Sequence, residues 1–142
     1  MVKAILVTHG NIGEELIKVA EKIFESDVGI TSIKVEWENN GDKVYKEVKS
    51  FLNSNKESNI IIFTDMFGGS PSNICFQFIN KNVEIITGVN LPAIIKFHTY
   101  KDKGLKFKDL IALIYKDAIN GINIISDYLG EKKNDWDKNQ NS

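Results

Sequence analysis

The chain has 142 residues, of which 42% are hydrophobic and 26% are charged, and its formal net charge is -1 at pH 7. This composition is ordinary for one globular domain, and the near balance of acids and bases gives no electrostatic reason to expect a nucleic acid or an anionic membrane as partner. All 18 basic side chains are lysines, so bidentate recognition of phosphate by arginine is excluded, and backbone amides would have to hold any phosphate group.

The single cysteine, Cys75, excludes an internal disulfide and any cysteine-based metal cluster. Its apolar neighbours in the sequence predict a small buried filler. The apolar run at residues 4–7 is too short for the core of a signal peptide, and no segment approaches the roughly 20 apolar residues of a membrane span. We therefore expect a cytoplasmic protein without direct membrane insertion.

The first half of the chain predicts two strands, each followed by a helix. Residues 4–8 form an apolar run that ends in Thr8-His9-Gly10. Asn11 and Glu14 fit a capping box for a helix that reaches about Glu25.

The second strand is predicted over residues 30–37, with Ile33, Val35 and Trp37 on one face. Trp37 and Tyr45 read as residues of the core or of a dimer edge. Asn39-Asn40-Gly41 interrupts the chain, and helical spacing then predicts a second helix that ends in the polar run 53–59.

The third strand is the feature that leads to chemistry. Residues 60–63 form a short, largely β-branched run, as in a fully buried strand. Asp65 and the pair Gly68-Gly69 follow it, then Ser70 as a predicted N-cap and Pro71 as the first helical residue. A strand, a glycine turn and a helix N-terminus together predict a binding place for an anion.

The remainder of the chain predicts a fourth strand at 83–87, then helices over 93–100 and 107–120. Residues 122–129 suit either a strand, from Ile122 and Ile124 at period two, or a helix, from Ile122, Ile125 and Leu129. Residues 131–142 read as a polar, flexible tail that includes Trp136. We expect one domain over residues 1–130.

Strands that alternate with helices predict a doubly wound, open α/β sheet with four parallel strands and helices on both faces. If the strand order is 2-1-3-4, the loops after strands one and three are neighbours at the carboxyl edge, where such sheets bind ligands. His9 would then lie beside Asp65 and the anion-binding turn.

His9 in this place permits several chemistries: a general base, a metal ligand or a nucleophile toward phosphorus. The metal alternative is weak, because the other histidine, His98, is distant in sequence and reads as a structural or surface residue. No Gly-x-Ser-x-Gly elbow and no Walker-type loop is present. The nucleophile hypothesis fits best, with Asp65 holding one ring nitrogen while the other attacks, and it requires no cofactor.

Three segments carry a family resemblance: Thr8-His9-Gly10, the block from Thr64 to Asn73, and Gly88-Val89-Asn90-Leu91-Pro92. They resemble the signatures of the enzyme IIA component of the mannose (mannose/fructose/sorbose) family of the bacterial sugar phosphotransferase system. The similarity extends from about Val2 to Asn120. The Asp-x-x-Gly-Gly-Ser-Pro-x-Asn block is its most specific part.

The resemblance implies that His9 accepts a phosphoryl group from the phosphocarrier HPr and passes it to a histidine on a separate IIB protein, which serves a IIC/IID permease. It implies that Asp65 orients His9. It also implies a homodimer that exchanges a C-terminal strand, which favours the strand reading of residues 122–126. The other site residues it implies are the phosphoryl-binding Gly68, Gly69 and Ser70 and the bordering Thr8, Gly10, Met66, Phe67, Asn90 and Pro92.

The sequence leaves two alternative functions open. One is a regulatory module of the same fold, read by protein partners according to its phosphorylation. The other is the phosphotransfer subunit of a dihydroxyacetone kinase. The Gly68-Gly69-Ser70-Pro71 block and the Asn90-Leu91-Pro92 loop argue against this second alternative. Ala93 departs from the methionine that often follows the family's loop proline. Met66 and Phe67 are candidate docking residues for HPr and IIB if they are exposed, and buried packing is the alternative for both.

Overall fold

The computed structural model describes residues 1–38 and 41–130. The predicted break at Asn39-Asn40 and the predicted tail with Trp136 lie outside the described residues. The described chain forms one four-stranded sheet, with β1 at Val2–His9, β2 at Thr31–Val35, β3 at Asn59–Thr64 and β4 at Val83–Ile86. The strands are parallel and their order is β2-β1-β3-β4, as the sequence predicts.

Helices cover both faces of the sheet. They are α1 (Ile12–Phe24), α2 (Gly41–Ser54), α3 (Ser70–Cys75, continued by a 3-10 turn at Phe76–Phe78), α4 (Leu91–Tyr100) and α5 (Phe107–Asn120). Side chains alternate across a strand, so each central strand contributes to two cores. Leu6 and Phe63 pack with α1, α4 and α5, whereas Val7 and Ile62 pack with α2 and α3.

The central strands β1 and β3 are nearly continuous apolar runs because both of their faces are covered. Ile5, Leu6, Val7, Ile61, Ile62 and Phe63 are all fully buried. Burial of this kind contributes about 1.5–3 kcal/mol for each large side chain. The resulting rigid pair of strands holds the two loops that follow them, which is where the site lies. Cys75 is also fully buried, so its prediction as a core filler is confirmed.

In the single chain, residues 122–126 do not form a strand, and the exchange of this segment between subunits of a dimer stays a prediction. Residues 122–124 have no regular structure, and residues 125–130 are helical. Ile122 and Ile124 are 79% and 69% exposed. A strand needs a neighbouring strand to satisfy its backbone groups, whereas a helix satisfies them locally, so the helical alternative prevails where the segment has no strand partner.

Two helix caps differ from their predictions. Asn11 occupies the N-cap of α1, but its side chain makes no capping bond, and the Thr8 hydroxyl accepts the backbone N–H of Gly13 instead, at 3.0 Å. At α3 the N-cap is Gly69 in an extended conformation, and Ser70 is the first helical residue rather than the cap. The Ser70 hydroxyl therefore does not cap the helix.

Candidate functional site

The site lies where the carboxyl ends of three neighbouring strands meet. His9 ends β1 and pairs in register with Val35 at the end of β2, and Thr64 ends β3 on the other side. The backbone N–H of Gly10 donates to the Val35 carbonyl at 3.0 Å, which extends the β1–β2 pairing past His9. The predicted neighbourhood of the first and third loops is confirmed by the strand order.

His9 and Asp65 form a close pair. Oδ2 of Asp65 lies 2.8 Å from Nδ1 of His9 and accepts the backbone N–H of the same residue at 3.0 Å. An ionised carboxylate only accepts hydrogen bonds, so the pair assigns the proton to Nδ1 and leaves a lone pair on Nε2. The two side chains are 19% and 10% exposed. The histidine is thus held firmly yet reachable from solvent.

The second oxygen of the same carboxylate is buried and has no hydrogen-bond partner among the described residues. Both bonds that Asp65 makes therefore go from one oxygen to one residue, His9. Two hydrogen bonds to the same residue suit an orienting role. The bond to the backbone N–H of His9 fixes the position of the carboxylate, and the bond to Nδ1 fixes the orientation of the ring.

The glycine turn approaches the imidazole on the side of Cε1. A Cβ placed on Gly69 would lie 2.8 Å from Cε1 of His9 and 3.5 Å from Nε2. Only glycine allows the backbone so near the ring. Gly68 serves another purpose, since its φ of +81° is in the left-handed region that other residues rarely adopt.

A buried chain of hydroxyls holds this turn to the end of β3. Oγ of Ser72 lies 2.6 Å from Oγ1 of Thr64 and donates to the Met66 carbonyl at 2.6 Å. A hydroxyl has one proton, and that of Ser72 is used in the hydrogen bond to the Met66 carbonyl. The Thr64 hydroxyl must therefore be the donor in its hydrogen bond to Ser72. Both hydroxyl residues are fully buried. Sequence reasoning did not assign this role to Ser72.

Beside His9 is a cleft of about 380 Å³. The exposed Ser70 lines this cleft, and its hydroxyl is not the cap of α3, because the N-cap is Gly69. Pro71 has no N–H, so the amides of Ser70 and Ser72 are the donors that the first turn of α3 leaves. The full lining is His9, Val35, Glu36, Trp37, Gly41, Ser70, Asn73 and Ile74.

Trp37 contacts the histidine directly. The two ring centroids are 5.4 Å apart and their planes are inclined by 27°, an offset stack. Trp37 is 86% exposed, so the core alternative of its prediction is wrong, whereas a place at a dimer edge stays a prediction. The strand order contained the missing signal, since β2 also borders β1 and its end is as near to His9 as the end of β3. Tyr45, by contrast, stacks half-buried on Phe78 at 5.2 Å.

Three residues predicted at the border of the site have structural roles. Thr8 is fully buried and caps α1. Asn90 accepts the backbone N–H of Ala93 at 3.0 Å and donates to the Ala118 carbonyl at 2.9 Å, which joins the start of α4 to the end of α5. A Cβ on Gly121 would lie 2.8 Å from Pro92, so this proline packs against the same helix end. None of the three lines the cleft beside His9.

Met66 and Phe67 are 53% and 75% exposed at the rim of the turn, and the ring centroids of Phe67 and Phe76 are 6.0 Å apart.

Within residues 1–38 and 41–130, no group of three His, Cys, Asp or Glu side chains is arranged to hold a metal ion. No helix in the described ranges has both the length and the apolar character that crossing a bilayer requires.

A family model for the PTS system fructose IIA component matches residues 3–115 of the chain. The chain belongs to the mannose-type IIA family of the sugar phosphotransferase system. This confirms the family that the three sequence segments indicate.

The chain is similar to the PTS system mannose-specific EIIAB component of Escherichia coli K12, with 26% identity over 121 residues, and it is equally similar to that of Shigella flexneri. The similarity covers 83% of this chain and 38% of each relative, so the chain spans less than half the length of the curated relatives it matches.

Solved IIA structures share the fold. EIIA from Streptococcus agalactiae has a TM-score of 0.75 at 21% identity, covering 89% of this chain and 98% of that one. The PTS IIA protein associated with the fucose utilization operon of Streptococcus pneumoniae has a TM-score of 0.77 at 20% identity, covering 90% and 96%. The predicted doubly wound fold is confirmed on both grounds, the sheet order and these neighbours.

Proposed function

We propose that the chain is a cytoplasmic phosphoryl carrier in which Nε2 of His9 accepts a phosphoryl group from phospho-HPr and passes it to a histidine of a separate IIB protein. The observation that carries the proposal is the 2.8 Å contact between Nδ1 of His9 and Asp65, which leaves Nε2 as the ring's nucleophilic nitrogen beside an open cleft. Family membership and a mannose-specific EIIAB relative support the same role.

The transfer balances without any movement of protons. The lone pair of Nε2 attacks phosphorus as the N–P bond of the donor histidine breaks. That bond's electron pair returns to the donor ring, which carries a proton on its other nitrogen and therefore leaves as a neutral imidazole. The phosphorylated imidazole keeps its Nδ1 proton and is cationic, so the carboxylate of Asp65 balances the new charge. Delivery to IIB is the same step in reverse, and Nε2 regains its lone pair.

The turn supplies contacts to the phosphoryl oxygens. The Ser70 hydroxyl and the amides of Gly68, Gly69 and Ser70 are the donors we assign to this role, and the close approach of Gly69 to the ring supports the placement. Charge-assisted hydrogen bonds of this kind are about twice as strong as neutral ones. They compensate for the absence of arginine from the chain.

The partners follow from the same proposal. HPr donates the phosphoryl group, IIB accepts it, and IIB in turn serves a IIC/IID permease, with this chain acting as a homodimer. Met66 and Phe67 are the exposed apolar residues that we assign to docking of both protein partners.

Incubation with phospho-HPr tests the proposal. We expect a phosphoryl adduct that is labile in acid and stable in base, with the phosphorus NMR signal of the Nε2 isomer. His9→Ala should abolish it, and His98→Ala, which removes the other of the two histidines, should retain it. Absence of an adduct on the wild-type protein, or its persistence in His9→Ala, would contradict the proposal. Labelling at His9 without onward transfer to a cognate IIB would favour the regulatory alternative.

The role of Asp65 is tested in the same assay. Asp65→Ala should slow transfer about 10- to 100-fold, because the ring loses its orienting acceptor. Asp65→Asn keeps the shape and an acceptor oxygen but removes the negative charge that balances the phosphorylated ring, so we expect an intermediate rate. Equal rates for all three proteins would reduce the carboxylate to a residue of the turn.

A further inference from the structure

The stack of Trp37 on His9 has no explanation in core packing. The indole is 86% exposed, so burial contributes little to holding it where it lies. Its place is set by the backbone instead. His9 pairs with Val35, the Gly10 N–H donates to the Val35 carbonyl at 3.0 Å, and Trp37 follows two residues later, level with the imidazole.

The imidazole needs a restraint of this kind. The ring torsion of histidine has broad minima, so a single hydrogen bond at Nδ1 leaves the ring plane free to tilt. Asp65 holds one edge, the backbone of Gly69 lies beside Cε1, and Trp37 covers a face of the ring. Together these contacts leave Nε2 directed at the cleft that Ser70 lines.

The stack also has an electrostatic consequence. The face of an indole attracts cations, and tryptophan does so best among the aromatic side chains. The imidazole ring of a phosphohistidine that retains its Nδ1 proton carries a positive charge, and the negative charges lie on the phosphoryl oxygens outside the ring. The contact therefore becomes more favourable when His9 carries the phosphoryl group.

We propose that Trp37 is a positioning residue of this site, which restrains the imidazole of His9 so that Nε2 points at the phosphorus and which favours the cationic, phosphorylated ring. The kinetic part rests on the proposed function. The stack itself does not, because it concerns the unphosphorylated protein. A residue so exposed could instead serve only to dock protein partners, and the experiment separates the two roles.

The test uses phosphoramidate, a small phosphoryl donor that, unlike phospho-HPr, needs no protein docking surface. Its P–N bond breaks as Nε2 bonds to phosphorus, and ammonia leaves. Trp37→Leu should lower the maximal rate of His9 phosphorylation by roughly 3- to 10-fold with little change in the half-saturating concentration. Trp37→Phe, which keeps an aromatic face, should restore most of that rate. Tyr115→Leu is the matched control, an exposed aromatic residue on α5 whose ring has no contact with His9.

A second readout does not depend on phosphorylation. In proton NMR spectra the ring protons of His9 should shift downfield in Trp37→Leu, because the ring current of the indole is lost, and should not move in Tyr115→Leu. Unshifted His9 signals, or a wild-type phosphoramidate rate in Trp37→Leu, would overturn the proposal. A loss confined to phospho-HPr as donor would assign Trp37 to docking and would overturn it as well. Failure of wild-type His9 to be phosphorylated by either donor would contradict the proposed function, and the NMR comparison would still decide whether the stack exists.

Discussion

Gly68 and Gly69 are adjacent glycines that the site requires for different reasons. At Gly68 the constraint is conformational, because its φ is +81° and a Cβ would meet no atom within 4 Å. At Gly69 the constraint is steric, because its φ is -80° while a Cβ would lie 2.8 Å from His9. Alanine substitutions therefore separate backbone strain from displacement of the histidine.

Gly68→Ala should lower the free energy of unfolding by about 1 kcal/mol, the cost of a left-handed alanine. Gly69→Ala should lower the free energy of unfolding by less than Gly68→Ala does. It should nevertheless slow phosphoryl transfer about 10- to 100-fold, because the new methyl group displaces the imidazole so that Nε2 no longer points at phosphorus. Urea unfolding and transfer from phospho-HPr measure the two effects. Faster transfer by Gly69→Ala than by Gly68→Ala would show that the methyl group does not displace the imidazole.

Cys75 gives a pH-dependent prediction. Burial raises the pKa of its thiol from 9.0 to about 12, because the thiolate is poorly solvated inside the protein. The folded thiol should therefore resist a disulfide reagent at pH 8 and react fully in denaturant. The unfolded chain releases this proton above pH 9.0, so the thiol favours unfolding as pH rises from 9.0 to about 12. Rapid reaction of the native protein at pH 8 would show that the thiol is accessible.

The link between β3 and α3 depends on Ser72 more than on Ser70, the residue that the sequence predicts as the helix cap. Ser72→Ala removes the acceptor of the buried Thr64 hydroxyl and the donor to the Met66 carbonyl. We expect a loss of about 1–3 kcal/mol in the free energy of unfolding, because buried polar groups lose their partners.

Ser70→Ala is the matched comparison for that variant. The exposed Ser70 makes no capping bond, so its loss should leave the free energy of unfolding nearly unchanged while it lowers the rate of phosphoryl transfer. Denaturation should show the larger loss of stability in Ser72→Ala, and transfer assays should show the larger loss of rate in Ser70→Ala. Similar losses of stability in both would mean that Ser72 does not organise the turn.

The sequence was sufficient where local pattern and topology agree. The apolar run of β3, its exit into Asp65 and the strand order together predicted the His9–Asp65 pair, and α5 was predicted with its observed bounds, Phe107–Asn120. What it missed depends on side-chain geometry. The capping bond to Thr8 and the hydroxyl chain through Ser72 join groups that several residue types could have supplied. Trp37 alternates with Ile33 and Val35, but it lies beyond the last residue of β2 and so has no core to enter.

Two apolar surfaces of the protein lie near each other. Ile12, Leu16, Val19 and Leu91 line an apolar groove of about 580 Å³ between α1 and the start of α4. The end of α5 packs on Pro92, next to Leu91, and the chain continues from there into Ile122, Ile124 and Ile125, which are 60–79% exposed. Such adjacent apolar surfaces are typical of an association site.

The homodimer implied by the family resemblance predicts that these surfaces are covered by a second copy. Sedimentation at micromolar concentration should give twice the 16.0 kDa of the chain. The double variant Ile122→Asp, Ile124→Asp should be monomeric, because the exchange would bury two unpaired carboxylates. Ile79→Asp, at a site that is 51% exposed and outside both surfaces, should remain dimeric.

Hydrogen exchange then tests whether residues 122–126 become a strand in that dimer. The single chain gives residues 122–124 no regular structure, so their amides should exchange rapidly in the monomeric double variant. Pairing with the sheet of a second subunit would supply backbone acceptors and slow the same amides by several orders of magnitude in the wild-type dimer. If the amides exchange rapidly in a wild-type protein that sediments as a dimer, the subunits associate without exchanging this strand.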